Sequence, residues 1–306
     1  MKKVLVTGGT GFIGSNLVKR LLNDNVEVYV LIRPNSTSGM RRLESLSGIK
    51  FIQSTPKELK SNKLLPKFDV CFNLAAYGVK YEEQNMDEMI NGNVNFLIDI
   101  IDFVCENKTN LLIHTGSCFE YGVNEGEKLT EESRLEPQSI YASTKLSGTI
   151  IGTTYAKLKN VNMITVRPFG VYGPGEAEYR LLPQLIEAAI KKKELRMTPG
   201  EQVRDYLYID DLVDAYLKLS NSGKIKPYDI YNICSAQPIL IKEFVEVFCS
   251  VYKCRKDIFK LGEIPYRENE VMHFIGDNSK IKEQTYWEPR ISLEEGIKLS
   301  IDLYNK

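Results

Sequence analysis

A tyrosine and a lysine four residues apart on a helix share one face, a turn apart. An ammonium so placed lowers a phenol's pKa and lets tyrosine give or take a proton near neutral pH. The chain shows this spacing at Tyr141/Lys145, Tyr155/Lys159 and Tyr252/Lys256, so spacing alone does not choose among them. Only Tyr141/Lys145 opens a helical stretch directly after a turn-like EPQS, one loop beyond an apolar run at 110–115. The other two pairs read as ordinary helix surface.

A second cluster lies at the start, in TGGTGFIG, where Gly8, Gly11 and Gly14 follow the apolar run Val4-Leu5-Val6. Glycine lets a backbone approach a pyrophosphate closely, and a helix N-terminus attracts the anion. Phe12 and Ile13, which open the following helix, are expected at the same phosphates. The bland alternative is a plain strand-to-helix turn. Dinucleotide sites read the adenosine ribose at the end of the second strand, with an acid for NAD or an arginine for the phosphate of NADP. That strand ends Leu31-Ile32-Arg33. Arg33 therefore favours NADP(H), and Glu27 begins the strand, at the wrong end. Arg41 and Arg42 are either a second contact or surface charge.

These residues need a frame. Strands are predicted at 3–7, 26–32, 49–53, 69–74, 110–115 and 161–166, with helices at 12–23, 86–106 and 140–158 between them. Parallel strands require such crossovers, so the expected fold is α/β, a Rossmann-type doubly wound parallel sheet. Beyond residue 172 prolines multiply and strands shorten. Helices are predicted at 180–192, 210–219, 241–252 and 293–304, in a smaller C-terminal α/β substrate-binding lobe. The expected division assigns 1–171 to a dinucleotide-binding domain, with 205–233 returning to it, and 172–204 with 234–306 to the lobe.

The 306 residues carry 40 basic and 40 acidic side chains, which gives no sign of nucleic-acid or membrane binding. No apolar stretch approaches the ~18 residues of a membrane span. Six cysteines without paired spacing and two histidines argue against structural zinc and for a reduced, cytoplasmic setting.

The loop G8-x-x-G11-x-x-G14 and Tyr141-x-x-x-Lys145 together resemble the short-chain dehydrogenase/reductase superfamily in its extended form. HTGSCFEYG, at 114–122, resembles that superfamily's serine-bearing motif, in which Ser117, four residues before Tyr121, matches the catalytic serine. The resemblance implies that Ser117 and Tyr141 hold the substrate oxygen while Lys145 holds the nicotinamide ribose. It implies that Leu74, Ala75 and Ala76 lie under the cofactor, that Asn93 supports the active-site backbone beside it, and that Pro168 passes the nicotinamide. RPFGVYG, ending in Tyr172-Gly173, then enters the substrate lobe, with Tyr172 among the substrate contacts. Arg204, in RDYL, and Arg267, in PYRENEV with Asp277 ten residues on, match the arginines of members that handle nucleotide-diphosphate sugars. Guanidinium forks suit a diphosphate.

Departures narrow the reaction. Nucleotide-sugar 4,6-dehydratases carry Thr-Asp-Glu where this chain has Ser117-Cys118-Phe119. Cys118 is one residue out of register with the cysteine of the epimerase-reductase that makes GDP-fucose, and Arg180 lies near where its histidine belongs. Cys118 reads as packing or lining. Two activities remain, a 4-epimerase that keeps its NAD and a 4-ketoreductase that exchanges NADPH. VYGPGEAE, TPGEQVRDYLYIDDLVDAYL and GEIPYRENEVM are similar to bacterial synthases of CDP-abequose and CDP-paratose. The expectation is thus NADPH-dependent reduction of a nucleotide-linked 4-keto-deoxyhexose for surface polysaccharide, best exemplified by CDP-4-keto-3,6-dideoxyglucose to CDP-abequose. A non-catalytic NADP-binding regulator is the reading from another class. It is disfavoured because Ser117, Tyr141 and Lys145 are all present. Family members pair the helices at 86–106 and 140–158 into a homodimer. Ile90, Val94, Leu97, Ile101, Leu146 and Ile150 are the apolar residues available for that, or for packing on the sheet.

Overall fold

A computed structural model describes residues 1–34, 39–62, 64–80, 82–122, 126–267 and 270–304. Its main feature is a seven-stranded sheet of β1 (Lys3–Thr7), β2 (Glu27–Ile32), β3 (Lys50–Gln53), β4 (Val70–Asn73), β5 (Leu111–Thr115), β6 (Met163–Pro168) and, after three further strands, β10 (Ile230–Ile233). All its pairings are parallel, in the order β10-β6-β5-β4-β1-β2-β3. The central runs are apolar on both faces because helices cover both. Val4 and Val6 pack toward α1 (Phe12–Asn23) and α7 (Ile209–Asn221), while Leu5 packs toward α4 (Phe96–Asn107) and α5 (Ile140–Leu158).

The strand order reverses between β1 and β4. In open α/β sheets ligands settle outside the carboxyl ends of strands at such a point. The glycine loop leaves β1 there, and Leu74-Ala75-Ala76 leave β4 beside it.

The stretch predicted as one helix at 86–106 is divided. A short α3 (Met86–Ile90) passes through a π-helical turn, Asn91–Asn95, into α4. The cause is local. Gly92 sits against the Tyr77 side chain, where a Cβ would come within 2.8 Å, and Asn93 turns inward to bond the Tyr77 backbone. The widened turn accommodates both. A four-residue α2 (Pro56–Leu59) follows β3.

Of the remaining strands all but one span two or three residues. β7 (Gly170–Tyr172), β9 (Val203–Tyr208), β11 (Pro238–Leu240) and β13 (His273–Phe274) form one small sheet, and β8 (Leu195–Met197) pairs with β12 (Phe259–Leu261). They accompany α6 (Leu181–Lys191), α8 (Ile241–Tyr252), α9 (Ser279–Thr285) and α10 (Leu293–Tyr304). α9 is not anticipated by apolar periodicity, since only Ile281 and Thr285 of its seven residues are buried. The single tryptophan, Trp287, is buried and donates its indole N–H to the Asp211 carbonyl at 3.0 Å. No helix of the described residues is long and apolar enough to cross a membrane.

Candidate active site

Gly8 and Gly14 are required by packing. Gly8 lies in the left-handed region at φ 67°, and a Cβ on it would stand 2.6 Å from the Ala75 nitrogen. On Gly14 it would stand 2.2 Å from the Gly8 carbonyl. Gly11 differs, for its added Cβ would have one neighbour, the Gly8 carbonyl at 3.2 Å. Gly11 is also the N-cap of α1, with no side-chain cap and no acid in the first turn. The amides opened by Phe12 and Ile13 therefore suit a pyrophosphate. The residues present fit a dinucleotide.

At the far end of β2, Ile32 and the exposed Arg33 follow one another with no acid between. Glu27 pairs in register with Lys3 at the opposite end and is bonded by Tyr29 and Lys50, which removes it from the ribose. Arg42 is exposed and lies beside the glycine loop. It donates to the Gly175 carbonyl at 3.2 Å and to the Thr10 carbonyl at 3.5 Å, joining the glycine loop to the segment that enters α6.

Tyr141 and Lys145 open α5, whose N-cap Ser139 accepts the Ala142 amide. Ser117 caps the short turn Cys118–Glu120, its hydroxyl accepting the Phe119 amide at 3.2 Å. Ser117 is a hydrogen-bonding neighbour of the Tyr141 phenol, and Lys145, one turn further along α5, donates to the carbonyl of Thr115, two residues before Ser117, at 2.6 Å. Burial raises the Tyr141 phenol, with Ser117 and Arg180 opposing it. The expected lowering by Lys145 is thus overturned, because desolvation dominates and the ammonium is turned to a backbone carbonyl. Burial also lowers Lys145 itself to about 8, opposed by Glu120.

Beneath them runs a polar row across the sheet. Thr7 donates to Asn73 at 2.5 Å, and the Asn73 amide reaches His114 Nδ1 at 3.1 Å. An amide N–H donated to Nδ1 puts the imidazole proton on Nε2, and burial holds His114 well below its ordinary value. It is neutral.

Asn93 spends its amide on protein. Tyr77 N–H and C=O take one bond each at 2.9 Å, and Thr144 Oγ1 of α5 takes another at 2.9 Å. These bonds make Asn93 a link between the Tyr77 loop and α5, and its Oδ1 keeps a second acceptor site. Pro168 ends β6, buried, in register with Ile233.

Tyr172 also requires correction. Its ring is buried among Tyr206, Tyr208 and Phe244, and its hydroxyl meets the Leu293 carbonyl at 3.4 Å. It packs under α10, within the core that these rings form, instead of facing a substrate. Cys118 is buried beside Phe169 and Phe274, and its thiol is pushed up to about 12 by burial, so it is no nucleophile.

Arg204 on β9 forms an ion pair with Glu270 at 2.6 Å, and the Glu270 amide donates to the Arg267 carbonyl at 3.1 Å. The two expected arginines are therefore joined through Glu270, with Arg267 exposed. Glu268 and Asn269 of that stretch lie outside the described residues. Asp205, next to Arg204 in β9, is buried and gathers the amides of Ser235, Ala236 and Gly276. Arg180 bonds Glu176, whose carboxyl burial raises to about 7. Among the described residues no cluster of His, Cys, Asp or Glu is arranged for a metal ion.

Sequence reading missed Glu120. It is wholly buried, pairs with Arg167 at 2.9 Å and accepts the Ser117 amide at 2.9 Å. An acid within an otherwise apolar turn, and an arginine inside the buried strand Val166-Arg167-Pro168, were the available signal.

Comparison with known proteins agrees with this geometry. The chain is 26% identical over 299 residues to CDP-abequose synthase of Salmonella typhimurium, covering 96% of this chain and 95% of that one. It is 27% identical to UDP-glucuronate 4-epimerase 1 of Arabidopsis thaliana, over 98% of this chain and 76% of that one. The fold superposes on UDP-N-acetylglucosamine 4-epimerase from Methanobrevibacter ruminantium, solved with UDP-N-acetylmuramic acid, with TM-score 0.89 and 23% identity, covering 99% and 98% of the two chains. The model of the NAD dependent epimerase/dehydratase family matches residues 4–234. The chain belongs to that family, with the fold of an extended short-chain dehydrogenase/reductase.

Proposed function

We propose that the protein is a 4-ketoreductase that uses NADPH to reduce the C4 ketone of a nucleotide-linked 4-keto-deoxyhexose, with CDP-4-keto-3,6-dideoxyglucose as the leading substrate. The observation that carries the reductase reading is Arg33, the side chain directly after Ile32 at the ribose end of β2, with Glu27 at the other end. Whole-length similarity to CDP-abequose synthase supports the sugar.

In this reading Gly8, Gly11, Phe12, Ile13 and Gly14 hold the pyrophosphate, Arg33 the 2′-phosphate, and Leu74, Ala75, Ala76 and Pro168 line the cofactor. The bound cofactor supplies the hydride. Ser117 holds the ketone oxygen by its hydroxyl. Tyr141, kept protonated by burial, donates the proton to that oxygen. Lys145 sits one turn on, to hold the nicotinamide ribose. Arg204 and Arg267 bind the diphosphate, Arg204 exchanging Glu270 for phosphate oxygens. Free thiols at all six cysteines fit a cytoplasmic enzyme, and a homodimer through α4 and α5 is part of the proposal.

A 4-epimerase with bound NAD is the second reading, favoured by relatives and neighbours named as 4-epimerases. One assay separates the two. Absorbance at 340 nm is followed with NADPH or NADH and enzymatically generated CDP- and dTDP-4-keto-deoxyhexoses. Stoichiometric loss of NADPH with one of them is the expected outcome. No loss, with conversion of a UDP-hexose to its C4 epimer, replaces the reductase by the epimerase.

A further inference from the structure

The turn that carries Ser117 and the helix that carries Tyr141 and Lys145 are held together by one carboxylate. Glu120 Oε1 accepts the Ser117 amide at 2.9 Å and the Thr149 hydroxyl at 3.0 Å, while Oε2 accepts Arg167 Nε at 2.9 Å. Arg167 Nη2 stands 2.9 Å from the same oxygen as an ion-pair contact, while Nη1 and Nη2 make no hydrogen bond of their own among the described residues. Thr149 lies one turn beyond Lys145, on the face of α5 that bears Tyr141 and Lys145. Gly116 makes the room, for a Cβ there would stand 2.5 Å from Oε1. Arg167 is fixed in turn, its guanidinium 4.6 Å over the Tyr121 ring, whose hydroxyl donates to Asn232 at 2.7 Å.

A buried ion pair is seldom the most stable filling of a core. Apolar residues of similar volume do as well or better, whereas removing one partner strands the other charge. What this pair supplies is direction, two bonds aimed at two different segments. We propose that Glu120 is a positioning residue, locked by Arg167, which sets the Ser117 turn against the Tyr141–Lys145 face of α5. The inference rests on the reading that these three side chains do the chemistry.

The test uses paired substitutions, so that no charge is stranded. In Glu120→Leu/Arg167→Met both charges go. In Glu120→Gln/Arg167→Met an amide oxygen remains for Ser117 and Thr149. Two quantities are measured in the purified full chain, hydrogen–deuterium exchange at the Ser117 amide and turnover of the sugar nucleotide used by the wild type. The leucine pair is expected to lower kcat about 100-fold at unchanged KM, as a misplaced group does, and to speed Ser117 exchange. The glutamine pair recovers at least about tenfold of that loss. Thr149→Val, a near-isosteric change that carries the test if the leucine pair does not fold, lowers kcat about tenfold and speeds the same amide. Wild-type kcat and exchange in a folded leucine pair or in Thr149→Val overturn the proposal. If the wild type turns over no sugar nucleotide, the reaction reading fails and amide exchange alone decides this one.

Discussion

Burial acts on Tyr141 and Lys145 in opposite chemical directions, and both suit a proton donor beside a cation. The phenol is kept protonated and the ammonium is brought down to about 8. Tyr141→Phe removes the donor and leaves the ring, so kcat falls by about 10²–10⁴-fold while cofactor affinity, measured by fluorescence titration, stays unchanged. A non-catalytic binder would show no difference. Lys145 also has a stability consequence. Its ordinary value is 10.5 and its folded value about 8, so below pH 8 the folded state carries the full desolvation cost. Between those values the unfolded chain holds a proton that the folded chain does not, and stability rises with pH. Lys145→Met therefore stabilises the fold by up to about 3 kcal/mol at pH 7, and urea unfolding at pH 10 shows most of that gain gone. An equal gain at both pH values sinks this account. The Tyr141/Lys145 spacing is visible in sequence because a helix fixes it locally. Glu120 was invisible as a pair because Arg167 is 47 residues away, and only the β5–β6 pairing brings the two together.

Helix α5 is the element on which the site depends, and two neighbours grip it. Thr149 meets the serine turn, and Thr144 meets Asn93 in the π-helical turn. Gly148 lies between them, where an added Cβ would stand 2.5 Å from the Asn93 carbonyl. Backbone cannot swing aside as a side chain does, so Gly148→Ala forces α5 off the turn. The cost expected is about 1–3 kcal/mol, read as a lower denaturant midpoint, with kcat reduced at the same time. An unchanged midpoint means the turn yields easily. The π-turn is what apolar periodicity could not show: its cause is a contact with Tyr77, outside the helix. Strands β1, β2, β4, β5 and β6 were legible because each carries a short buried run rich in β-branched and other apolar residues, whereas the edge strand β3 is mostly exposed. β11, β12 and β13 span two or three residues each, too few for any period to register.

For the whole molecule, the apolar faces of α4 and α5 divide differently from the sequence expectation. Leu97 and Ile101 are core residues between helix and sheet, whereas Ile150 and Ile151 are exposed at 54% and 43%. If a second copy covers that patch, Ile150→Glu with Ile151→Glu turns a dimer into a monomer in sedimentation velocity, since like charges would face each other across the axis. A wild-type monomer removes the dimer outright. Finally, the chain passes back and forth between its two larger sheets. β6 lies in the large one, β7 and β9 in the small one, β10 in the large one again, and β11 and β13 in the small one. A chimera that exchanges the small sheet with a relative cannot be made by grafting only the residues after β10. Such a graft leaves β7 and β9, with Arg204, in the recipient, and the small sheet moves whole only when the chain from β7 to β9 is carried as well.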